Sequence, residues 1–178
     1  MTILNMKSLP ITLLSTIALS ILLFTSCNSA KTAQRTKDNR DSISSWWESK
    51  QFTFHAITAQ PMTGNVIQLT SEYTFDMRND SIIAWLPYFG RGFVSPTNPG
   101  DGGIKFATKN YAIKNEKQAK KMFKMTIVPK GLPPFQNTKD VQQLFLSFGI
   151  DGYGTLQIQS LNQTPISFYG YLSSSKTN

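Results

Sequence analysis

Apolar and polar residues alternate with a period of two along most of the chain beyond residue 50. That is the pattern of strands with one face buried and the other in water. Residues 51–59 place Phe52, Phe54 and Ala56 on one side and Thr53, His55 and Ile57 on the other. Residues 70–78 repeat it, with Tyr73, Phe75 and Met77 against Glu72, Thr74, Asp76 and Arg78. Asn79-Asp80 is a turn-forming pair, so residues 81–86 are expected to return as the partner of a hairpin. Residues 104–111 and 121–128 are expected to pair with each other around a lysine-rich loop. In the C-terminal half Leu144, Leu146 and Phe148 share a face, and Asp151-Gly152-Tyr153-Gly154 turns the chain. Leu156 and Ile158 then alternate with glutamines, and Asn162-Gln163-Thr164-Pro165 leads into a last strand over residues 166–171.

About eight short strands with turns between them predict an all-β domain, a single antiparallel sandwich or small barrel. One short N-terminal helix is predicted over residues 41–50, with Trp46 and Trp47 placed to cap the edge of the core. Phe52, Phe54, Tyr73, Phe75, Trp85 and Phe148 are the bulky side chains expected inside. Their size argues for a filled interior rather than a hollow one.

Ahead of this domain the pattern changes. Lys7 precedes an apolar run over residues 11–24, and Thr25 and Ser26 lead to Cys27, the only cysteine. The run is shorter than the roughly 20 apolar residues that span a bilayer. It has the layout of a cleaved signal, residues 1–26, with Cys27 as the first mature residue. A lone thiol in an oxidising compartment has no partner for a disulfide. Acylation of Cys27 by chains of the palmitate class removes that difficulty and anchors the protein to a membrane. Residues 27–45 are polar and read as a flexible tether, leaving residues 46–178 as one domain with one core.

Charge is unevenly placed. The chain carries a net charge of +8, and between Lys105 and Lys130 there are eight lysines and a single acid, Glu116. Lys117, Lys120 and Lys121 are candidates for contact with anionic headgroups. Lysines guarding a strand edge explain the same stretch without a ligand. An envelope address argues against a nucleic-acid partner.

Candidate chemistry is sparse. His55 is the only histidine, so any serine or cysteine triad would have to use it, and the alternation sets it on the polar face of its strand. No catalytic constellation is visible. The carboxylates show no metal-ligand spacing. Gly152-Tyr153-Gly154 lacks the helix that a phosphate-cradling loop must open, so no cofactor is implied. The best binding candidate is the irregular connection over residues 87–103, which carries Pro87, Tyr88, Phe89 and Arg91. Tyr88 and Phe89 packing the open edge of the sheet is its plainer explanation.

Several strings occur together behind the signal. They are Phe52-Thr-Phe54 followed by Pro61, Leu86-Pro-Tyr-Phe-Gly90, Gly102-Gly-Ile-Lys-Phe106, Gly152-Tyr-Gly-Thr-Leu156 and Ile166-Ser-Phe-Tyr-Gly170. In that order, over roughly residues 45–172, the chain resembles the Bacteroidetes lipoproteins grouped as domain of unknown function 4251. The resemblance implies an envelope location and an all-β domain, and brings no activity. No acidic run follows Cys27, and in gut-type relatives such a run resembles a surface-export signal. A lipid anchor in the outer membrane, facing the periplasm, is therefore expected. The reading that follows is a non-catalytic binding or interaction module with an envelope protein or glycan as partner. A lipocalin-like carrier of a small apolar ligand and an unrecognised envelope hydrolase are the alternatives.

Overall fold

The computed structural model describes residues 27–93, 103–119, 121–131 and 141–175, with side chains from residue 37 onward. The signal segment, residues 1–26, lies outside the described residues, as does the side chain of Cys27. Helix α1 (Cys27–Ser49) precedes ten strands. They are β1 (Phe52–Pro61), β2 (Ile67–Gln68), β3 (Thr74–Arg78), β4 (Ser81–Leu86) and β5 (Ile104–Thr108). β6 (Tyr111–Gln118), β7 (Met122–Pro129), β8 (Val141–Gly149), β9 (Tyr153–Ser160) and β10 (Ile166–Ser174) complete the set. All pairings are antiparallel, in the order β5-β4-β3-β1-β10-β9-β8-β7-β6, with β2 lying against β1. The all-β class is as expected, and of its two forms the sheet takes the barrel-like, nearly closed one.

Closure follows from one short connection. β5 and β6 are the two edges of the sheet, yet only Lys109 and Asn110 separate them in sequence. Three residue steps reach at most about 11 Å, so the sheet must curl until its edges nearly meet. Nearby, Lys109 Nζ lies 2.8 Å from Asp80 Oδ2, tying this connection to the β3–β4 turn. The Lys109 hydrogen bond holds the Asp80 carboxyl below its usual range. The anticipated pairing of residues 104–111 with 121–128 is thereby corrected. β5 pairs with β4, and it is β6 that pairs with β7.

The inside of the barrel is packed with side chains. Phe52, Phe54, Phe75, Phe123, Phe148 and Phe168 are fully enclosed, with Met77, Leu86, Ile127 and Leu144 between them. Room for these rings comes partly from Gly154 and Gly170, which face each other across β9 and β10. A Cβ on Gly154 would come within 2.5 Å of the Phe148 Cβ, and one on Gly170 within 1.9 Å of the His55 carbonyl oxygen. In β1 a bulge between Ala56 and Thr58 shifts the register. Phe52, Phe54 and Ala56 point inward before it, and Ala59 and Pro61 after it.

The last turns of α1, from residue 39 on, pack against the core. Ile43 and Trp47, four residues apart on one helical face, are both buried. The Trp47 ring packs 5.3 Å from Phe123 and 5.7 Å from Phe148. The helix stops at Lys50, whose φ of 54° is left-handed, and Gln51 N donates to Trp46 O at 3.2 Å. Lys50 Nζ sits 4.4 Å over the Trp47 ring and also pairs with Glu116. The helix is longer than the expected 41–50 and runs through the stretch read as a tether. Residues 27–49 contain no Gly or Pro, and Ala30, Lys31, Ala33, Gln34 and Arg35 are strong helix formers.

Two further expectations are corrected. Trp85 is not in the core but on the outer face of β4, 52% exposed, with Lys105 Nζ 4.3 Å above its ring. The lysine-rich stretch is not a loose loop. Lys114 and Lys117 lie on edge strand β6, where a bulge puts Asn115 at a φ of 51°. Trp47→Ala is therefore expected to cost about 3–5 kcal/mol, as for other large aromatic truncations in cores. Trp85→Ala is expected to cost about 1 kcal/mol or less. Urea unfolding of both variants checks the assignment, and similar losses would contradict it.

Candidate functional site

With Ile166, Phe168, Gly170 and Leu172 of β10 buried, Ser167, Tyr169, Tyr171 and Ser173 must point outward. The same rule turns Tyr153, Thr155, Gln157 and Gln159 outward on β9. The register aligns these side chains across strands. His55 opposes Tyr171, which opposes Tyr153. On the other side His55 opposes Thr74, Thr74 opposes Trp85, and Trp85 opposes Lys105. The resulting outward row crosses six strands, roughly 24 Å at about 4.8 Å per strand.

Within the row the rings touch. His55 stacks on Tyr171, with centroids 4.9 Å apart and planes 13° from parallel. Tyr153 lies 6.2 Å from both Tyr169 and Tyr171, nearly parallel to the first and tilted against the second. All three tyrosines remain exposed, at 40–49% of their surface. Strands β1, β10, β9 and β8 lie side by side, and none of them contains an Asp, Glu, Lys or Arg. A water-facing sheet normally carries charge on its solvated side. This face instead offers phenol, hydroxyl and amide groups.

His55 is half-buried rather than freely solvated. Its Nε2 lies 2.9 Å from Ser173 Oγ, and its Nδ1 lies 3.6 Å from Glu72 Oε1. The order is that of a serine–histidine–acid relay. The carboxylate is 71% exposed and stands beyond hydrogen-bond distance. Ser173 Oγ is also 3.3 Å from the Ser174 carbonyl, and the N–H of neighbouring Leu172 is already donated to Gly152 O. Among the described residues no group of three His, Cys, Asp or Glu side chains could hold a metal ion.

The loop that carries Pro87, Tyr88, Phe89 and Arg91 is fastened to the β9–β10 turn. Tyr88 Oη donates to Arg91 O at 2.9 Å and meets Thr164 Oγ1 at 3.0 Å. Arg91 N donates to Thr164 Oγ1, Thr164 N to Arg91 O, and Phe93 N to Asn162 O. A Cβ on Gly90 would fall 2.3 Å from Tyr88 Oη, so this position admits no side chain without rearrangement. Tyr88 is thus a fastening, while Phe89 and Arg91 are exposed and Pro87 is half-buried. Residues 94–102 of the connection lie outside the described residues.

Lys117 and Lys121 are exposed, and Lys117 directly opposes Lys124 across β6 and β7. Lys120 lies outside the described residues. The sequence reading missed the tyrosine face. The signal was present, because Tyr169 and Tyr171 have the parity opposite to Phe168 and Leu172.

In comparisons with known proteins, the family described as "Domain of unknown function (DUF4251)" matches residues 34–172. No curated protein matches the chain. Among solved structures, the chain resembles the crystal structure of a DUF4251 family protein from Bacteroides eggerthii, with a TM-score of 0.52 at 15% identity. The match covers 76% of this chain and 87% of that one, a likeness of fold.

Removing the Tyr88 hydroxyl tests the fastening. Tyr88→Phe is expected to cost about 1–3 kcal/mol, because it strips a partner from the Arg91 carbonyl and Thr164. Faster amide exchange at Arg91 and Thr164, without change in β8, is the accompanying local signature. Unaltered exchange at both residues would show that the hydroxyl does not hold the loop.

Proposed function

The chain belongs to the DUF4251 family, and from that premise we propose that it is a lipid-anchored envelope protein whose domain binds a partner without converting it. The binding surface is the outer face of β1, β10, β9 and β8. The observation that carries this reading is the combination of exposed tyrosines and absent charge on four adjacent strands. Exposed aromatic groups on a rigid sheet lose little conformational entropy on binding and bury large areas.

The two alternatives fit less well. A carrier of a small apolar ligand needs interior room, and six enclosed phenylalanines occupy this barrel. A hydrolase needs the His55–Ser173 contact completed by an engaged acid and an oxyanion site, and Glu72 is exposed at 3.6 Å. The anchor reading rests on the run ending in Thr25-Ser26-Cys27 and on the polar segment behind it. The outer membrane, on its periplasmic side, is the proposed location. No helix among the described residues is long and apolar enough to cross a membrane. In this proposal acyl chains on Cys27 carry the attachment.

Two experiments test the proposal. Cys27→Ser is expected to shift the protein from the membrane to the soluble fraction or to stall its processing, with the domain still folded. A mature-size variant that stays with membranes would refute the anchor. An organophosphorus serine probe is expected to leave Ser173 unlabelled in the full chain. Stoichiometric labelling that disappears in His55→Ala would establish an acyl-transfer site instead.

A further inference from the structure

Building on the proposed binding face, we infer that its ligand is a neutral, extended oligosaccharide whose sugar rings lie on Tyr153, Tyr171 and Tyr169. Charge gives the first argument. The chain holds 18 Lys and Arg residues, and none stands on β1, β8, β9 or β10. Lys and Arg are the side chains that pair with phosphate and carboxylate groups, so a ligand bearing either would find no counter-charge on these strands. Their exclusion from four adjacent strands complements a ligand without charge.

The groups present supply the second argument. A sugar ring has C–H faces that are apolar and a rim of hydroxyls. The C–H faces gain by covering aromatic planes, and the rim must recover the hydrogen bonds it had with water. Ser, Thr and Gln side chains each donate and accept, so they match hydroxyls in either sense. Ser167, Ser173, Thr155 and Gln157 surround the three tyrosines with such groups. Protein-binding surfaces share the aromatics and the scarcity of Lys, Glu and Asp, but they enrich Arg and Met and deplete Ser, so the surrounding hydroxyls and amides are what favours a sugar here.

Geometry supplies the third. The Tyr153 ring lies 6.2 Å from both Tyr169 and Tyr171, the scale of successive sugar units. Tyr171 does not hang free, because His55, opposite it on β1, stacks on its ring and is itself held at 2.9 Å by Ser173. His55 thus acts as a positioning residue for the Tyr171 ring. The platform is set before the ligand arrives, which limits the ordering cost of binding.

The test is titration calorimetry of the full chain in detergent with maltohexaose, cellohexaose, chitohexaose and mannohexaose. Binding of at least one is expected, with Tyr153→Ala and Tyr171→Ala each weakening it about tenfold. His55→Ala should weaken it less than Tyr171→Ala does. Affinity should be the same at low and high salt, since no ion pair forms. Unchanged unfolding midpoints show that the variants fold. Failure to bind any of the four sugars, binding that survives the Tyr153→Ala/Tyr171→Ala double variant, or binding that collapses with salt would each overturn the inference. Cross-linking in cells separates this from the reading beneath it. If the double variant loses a cross-linked envelope protein while no sugar binds, the glycan is wrong and the binding face stands. If the double variant changes neither readout, both fall.

Discussion

The structure depends on a connection too short for the distance it would cross in a flat sheet. Lys109 and Asn110 are all that join β5 to β6, and these strands are the two edges of the sheet. The sheet must curl nearly into a tube, and a tube of this size has to be filled. Six phenylalanines fill it, and Gly154 with Gly170 leaves room where a Cβ would clash with the neighbouring strands. The edges do not pair, so each needs protection from stray strands. On β6 the bulge at Asn115 and the lysines beside it supply that.

A filled barrel has consequences for where function can reside. When the inward positions are taken by rings that seal one another, the outward positions are what remains for recognition. The strict alternation of β9 and β10 means that each inward Phe or Leu has an outward neighbour of fixed position. The inner packing therefore determines the spacing of the outer tyrosines. The same strand that buries Phe168 and Leu172 displays Tyr169 and Tyr171 between them.

Much of this was legible in the chain. Alternation located β3 and β4 with their Asn79-Asp80 turn, and it located β8, β9 and β10 with their buried faces, because each hairpin is local. The β5–β6 crossing was not legible, since hydrophobic period identifies strands and says nothing about which distant edges meet. Trp85 was misplaced because size suggested burial, whereas its position between the inward Ala84 and Leu86 sets it outside. The helix was read too short because polar composition was equated with a tether, though the segment lacks any residue that breaks a helix. Of the candidate site, the loop around Tyr88 was visible as irregular and aromatic. Its attachment to Thr164 joins residues 76 apart in sequence, and no local pattern records that.

The pairing of β1 with β10 has a kinetic meaning. Phe52 lies opposite Ser174, about 120 residues later in the chain. β1 sits between β3 and β10, so until the last strand exists one of its two edges has no partner. Long-range pairings of this kind slow folding, because loop closure must precede the contacts that reward it. A chain emerging N-terminus first thus keeps its barrel open until β10 itself has been made, so the free edge of β1 outlasts every hairpin that forms before it.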